Sequence, residues 1–106
     1  MLCFENRGTQ DTPILESILP LAVELKAPAQ SNVVVHHSVG EKNSAQSFAP
    51  MEDVLAPRGT NELVFAPIGG RSSDGVMPFF NLAWADGGAA LAVGWSGQWE
   101  ARFHRL

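Results

Sequence analysis

Two short stretches of this 106-residue chain carry the side chains best suited to recognising a polar ligand. The first is Gly69-Gly70-Arg71-Ser72-Ser73-Asp74-Gly75. A glycine-rich loop there presents a guanidinium fork and two hydroxyls, which suits sugar hydroxyls or a carboxylate. The same arginine could equally tie its loop to the domain through a salt bridge, and both readings stand. The second stretch is Gly94-Trp95-Ser96-Gly97-Gln98-Trp99. Trp95 and Trp99 could offer a stacking face to a sugar ring, but tryptophan is also a large core filler. At least one of the two is expected in the core. Trp95 is assigned there because it shares a face with Leu91 and Val93. The candidate carbohydrate contacts are thus Arg71, Ser72, Ser73, Gln98 and Trp99.

Other reactive residues carry less. His36 and His37 are neighbours on an expected strand, so they point to opposite faces and cannot chelate one ion without a distorted backbone. Cys3 lies in an apolar run and is expected to be a small buried hydrophobe. Asp74 and Asp86 each precede glycine and read as turn residues. Glu52-Asp53 falls in an irregular stretch and reads as a solvated acidic pair. Gly69-Gly70 lacks the lysine or further glycines of a phosphate cradle. No carboxylate pair stands in a plausible pocket context, so no glycosidic hydrolysis by this chain alone is expected. No catalytic residue, metal ligand or cofactor is assigned.

Composition narrows the class. The net charge is −4, and the basic residues are scattered. Neither nucleic-acid binding through phosphates nor a polybasic membrane contact is supported. Apolar residues make up 45% of the chain, which is a globular composition in a single domain. One cysteine excludes an intrachain disulfide. No apolar run approaches the roughly 18 residues of a membrane span. No signal peptide is visible, and localisation is left open.

The elements that must position these loops are strands. Residues 79–84 are apolar and aromatic. Asp86-Gly87-Gly88 follows as a hairpin turn whose glycines would accept positive φ. Residues 89–95 resume the strand pattern, and Ser96-Gly97 marks a second reversal. Trp99, Ala101 and Phe103 then alternate with polar neighbours, the period of a strand with one wet face. Upstream, residues 1–4, residues 19–25 (within 14–25), residues 33–37 and residues 62–66 read as strands, with Pro20 at a bulge or edge. Residues 38–59 read as a long excursion with at most a few residues of strand around Ser47-Phe48. The fold expected is all-β, an antiparallel β-sandwich. Strands at both ends of the sequence suggest a piece of something larger, with open sheet edges through which the chain self-associates.

Arg71-Ser72-Ser73, Pro78-Phe79-Phe80 and Gly94-Trp95-Ser96-Gly97-Gln98-Trp99 together resemble the N-terminal β-sandwich domain of α-galactosidase-type glycoside hydrolases, family 36 and its relatives. Phe4-Glu5-Asn6-Arg7-Gly8, Ile14-Leu15-Glu16-Ser17-Ile18 and Val35-His36-His37-Ser38-Val39-Gly40 look compatible. The likeness is specific in the last third of the chain and weak over residues 38–59. It implies that the sandwich precedes a catalytic (β/α)₈ barrel, which this chain is too short to contain. The catalytic aspartates of such enzymes belong to that barrel and map onto no position here. What the resemblance leaves to this chain is support of the barrel and shaping of its substrate pocket, through a loop that reaches the barrel mouth. The alternatives are a free-standing carbohydrate-binding module or a structural interaction domain.

Overall fold

The computed structural model describes residues 2–106. It contains six strands: β1 (Val33–Ser38), β2 (Pro50–Leu55), β3 (Glu62–Phe65), β4 (Phe79–Trp84), β5 (Gly87–Ala92) and β6 (Ala101–His104). No helix occurs among the described residues, and so none long and apolar enough to cross a membrane. The protein is all-β, as the sequence predicts. Four strands form an antiparallel sheet in the order β2-β1-β4-β5, and β3 pairs with β6 in a separate antiparallel pair.

Alternation decides the faces. Val33, Val35 and His37 of β1 point to the same side as Leu55 of β2 and Phe80 and Leu82 of β4. The apolar ones among them, Val33, Val35, Leu55, Phe80 and Leu82, form the core with Val76 and Trp99 from the loops. The small pair meets this inner face through rings. Phe65 of β3 and Phe103 of β6 each lie 5.1 Å from Phe80, and Trp99 meets Phe80 edge-on at 5.9 Å. Tilted and edge-on rings at this spacing match their quadrupoles, adding roughly 0.5–1.5 kcal/mol per pair to simple burial. Along β6 and the two residues before it, Trp99, Ala101 and Phe103 turn inward while Glu100, Arg102 and His104 face water, the period predicted from sequence. Glu100 hydrogen-bonds Arg102 and, with Glu62 across the pair, holds its guanidinium above the ordinary arginine pKa.

Several sequence expectations are corrected. Residues 50–55 are a full strand, not part of an irregular excursion. Its polar composition and leading proline conceal it, and both are features of an edge strand, where a missing amide and charged side chains are tolerated. Glu52 and Asp53 are accordingly not a free acidic pair. Each meets a histidine of β1. The strand expected over 19–25 does not form, and residues 2–4 are in no strand; Met1 lies outside the described residues. Leu19, Leu21, Val23 and Leu25 have the right alternation but no partner, and a lone strand leaves its backbone groups unpaired. Cys3 is exposed, not buried.

The hairpin β4–β5 forms, but its turn is Ala85-Asp86, with Trp84 opposite Gly87. Neither glycine after the turn has positive φ. Gly88 is required for another reason: a Cβ there would sit 2.5 Å from the Leu82 carbonyl oxygen. Strand β5 ends at Ala92, short of the expected 95, and the last ladder bond is Val93 N–H to the Pro78 carbonyl at 2.9 Å.

Candidate functional site

The two stretches singled out from the sequence meet in space. Gln98 bridges them with both ends of its amide. Its nitrogen donates to the Pro67 carbonyl at 2.7 Å, and its oxygen accepts from the Gly70 amide at 3.2 Å. One residue on, the Trp99 indole N–H donates to the Ser72 carbonyl at 2.7 Å. The loop over residues 69–75 is thus held from one side by the segment that leads into β6.

The opposite side is held by the chain after β1. Glu41 N–H donates to the Ser73 carbonyl at 2.9 Å, and Ile68 N–H closes the loop on the Asp74 carbonyl at 2.9 Å. Gly40 allows this approach, since a Cβ there would lie 2.1 Å from the Ser73 carbonyl oxygen. Gly69, Gly70 and Gly75 take φ of 68°, 74° and 85°, a region that costs side-chain-bearing residues strain. A loop that looks flexible in sequence is therefore fastened at several points.

Arg71 stands at the tip, with 80% of its side chain exposed, and its guanidinium bonds Asp74 at 2.7 Å. The ion pair lies within the loop and does not tie it to the sheets. Arg71, Ser73, Asp74 and Glu41 line a cleft of about 140 Å³. A guanidinium, a hydroxyl and two carboxylates thus line it, groups that can exchange hydrogen bonds with hydroxyls. Ser72 contributes its backbone carbonyl to Trp99, and Gln98 is committed to the loop backbone.

The tryptophans exchange the roles assigned from sequence. Trp99 is buried, at 8% exposure, while Trp95 is 62% exposed. Past Val93 the chain leaves the ladder, so the alternation that put Trp95 with Leu91 no longer maps onto a sheet face. Trp99 has no free ring face for stacking, and Trp95 does. Glu41 and Gly40 are the site residues that sequence reasoning missed. The close approach of Gly40 to Ser73 spans more than 30 residues, and no local signal reports it.

A second cluster involves the histidines, which do point to opposite faces. His37 turns inward with 9% of its side chain exposed. Its Nε2 meets Asp53 Oδ2 at 2.7 Å, and its ring lies 4.5 Å from Phe65. His36 turns outward and meets Glu52 at 3.1 Å. No group of three or more His, Cys, Asp or Glu side chains that could hold a metal ion occurs among the described residues.

No family model, curated protein or solved structure matches this chain.

Proposed function

We propose that this chain is a non-catalytic, carbohydrate-facing β-domain, the N-terminal sandwich portion of an α-galactosidase-like glycoside hydrolase. In this reading it supports a catalytic barrel and lends its Arg71 loop to the rim of the substrate pocket. The observation that carries the reading is the joint between the two motifs of the resemblance. Gln98 and Trp99 grip the backbone of residues 69–75 and leave Arg71 and Ser73 outward on a fixed loop. A preorganised loop loses little entropy when its side chains engage a ligand. Arg71 then donates paired hydrogen bonds to sugar hydroxyls at the cleft it shares with Glu41, Ser73 and Asp74. The sheet layers act as the scaffold, through the Phe65–Phe80–Phe103 cluster.

The test is a titration of the ¹⁵N-labelled chain with methyl α-galactoside. The expected result is weak, millimolar binding, with shifts confined to residues 69–75, Glu41 and residues 95–98, and abolished by Arg71→Ala. An aryl α-galactoside should not be hydrolysed. Shifts scattered elsewhere, or none at high sugar, would remove the carbohydrate reading. Micromolar affinity would instead favour a free-standing binding module.

A further inference from the structure

The four-stranded sheet has two unlike edges. The β2 edge is blunted by Pro50, Glu52 and Asp53, the usual protection of a free strand. The β5 edge, Gly87-Gly88-Ala89-Ala90-Leu91-Ala92, carries no charge and no proline. Its hydrogen-bonding side follows from the register. Val93 N–H bonds the Pro78 carbonyl, so Gly87, Ala89, Leu91 and Val93 turn their amides to β4. Gly88, Ala90 and Ala92 turn theirs to the open edge. Beside this edge, on the sheet face away from the core, lies a shallow apolar groove of about 480 Å³, with Phe79, Ala90 and Ala92 among its walls.

The same chain carries an unused strand sequence. Leu19, Leu21, Val23 and Leu25 are all exposed and alternate with Pro20, Ala22 and Glu24. Pro20 has no N–H, so in any pairing its side of the strand must face away from the acceptor. Leu19, Leu21, Val23 and Leu25 then turn their amides toward the acceptor. In an antiparallel pair, residues that exchange hydrogen bonds share a face. Their side chains therefore fall beside Ala90 and Ala92, on the face that carries the groove. The short alanines of β5 leave room there for Leu21 and Val23.

We infer that residues 19–25 of one copy pair antiparallel with the β5 edge of a second copy, and that their apolar row fills the groove over Ala90 and Ala92. A second copy is the occupant because a chain's own segment starts from the wrong side. Ala27 packs on the core, and Pro28 and Ala29 lie by Arg105, just beyond β6. The segment so leaves on the side of the small sheet, opposite the groove. The radius of gyration, 16.8 Å, exceeds the roughly 13 Å of a compact chain this long, as a projecting arm requires.

Sedimentation of the full chain from about 1 to 100 μM tests this. The expected mass is twice the monomer or more. Ala90→Pro removes a donor only from the open edge, and Leu21→Asp places a charge in the groove, so each should weaken association at least tenfold while far-UV circular dichroism stays unchanged. Mixing the two variants restores one joint, because one retains the arm and the other the edge. Amide exchange at Ala90 and Ala92 should slow as concentration rises. A full chain that stays monomeric at 100 μM overturns the inference, as does an Ala90→Pro or Leu21→Asp variant that associates like the parent. If either variant loses its β spectrum, recovery of a heterodimer on mixing decides, and its failure counts against the joint.

Discussion

The Trp99 indole N–H donates to the Ser72 carbonyl across 27 residues of sequence, at 2.7 Å. This bond joins the core to the back of the candidate loop. The ring fills the space beside Phe80, and the nitrogen satisfies a loop carbonyl that would otherwise be left without a partner. One side chain thus serves packing and loop position together.

The two tryptophans should therefore respond oppositely to truncation. Trp99→Ala should cost about 3–5 kcal/mol, the range for a large buried aromatic. Trp99→Phe keeps most of the packing but strands the Ser72 carbonyl, at about 1–3 kcal/mol. Trp95→Ala, at an exposed site, should stay within roughly 0.5 kcal/mol. Urea unfolding of the three variants checks this, and equal losses at Trp95 and Trp99 would contradict the assignment.

Gln98 should control the order of the loop more than the fold. Gln98→Ala removes two hydrogen bonds at a part-exposed site and should cost about 1–2 kcal/mol. Hydrogen exchange at the Gly70 amide should accelerate in this variant while β4 amides remain protected. Gln98→Glu should behave similarly, since a carboxylate cannot donate to the Pro67 carbonyl. Unchanged exchange at Gly70 would mean that the clamp does not hold the loop.

Arg71→Ala should separate recognition from stability. Its ion pair with Asp74 is solvent-facing, and such pairs contribute about 0–1 kcal/mol. The melting temperature should hardly move, while the response to methyl α-galactoside disappears. A clear fall in melting temperature with the sugar response intact would make the arginine structural.

Glycine positions offer a steric test. Gly88→Val should destabilise the hairpin strongly, by about 2 kcal/mol or more, because its Cβ would collide with a carbonyl of the neighbouring strand. Gly94 has no atom within 4 Å of a built Cβ and no positive φ. Gly94→Ala should leave stability unchanged or raise it by up to about 1 kcal/mol. Thermal melts of the pair, read against each other, would expose an error in the β4–β5 register.

The two histidine–carboxylate pairs should also differ. Asp53→Ala strands Nε2 of the inward His37 and should cost about 1–2 kcal/mol, partly recovered by Asp53→Asn. Glu52→Ala breaks an exposed pair and should change little. Equal effects in chemical denaturation would argue against the inward placement of His37.

The sequence by itself determined the all-β class, strands β1, β3, β4 and β6, and the two stretches that carry the candidate site. Those features rest on local physics: β-branched runs, period-two alternation, and glycine clusters that mark loops and turns. Tertiary structure alone decided the rest. Residues 50–55 became a strand because β1 offered an edge and two histidines to its carboxylates. Residues 19–25 have a better strand pattern and form none: no other segment of the chain lies beside them to complete a ladder. Trp99, not Trp95, entered the core because the ladder stopped at Val93, and a periodicity read along the chain does not show where its partner ends. The contact of Gly40 with Ser73 and the grip of Gln98 on residues 67 and 70 are pairings between distant segments. They exist only once the sheets bring those segments side by side.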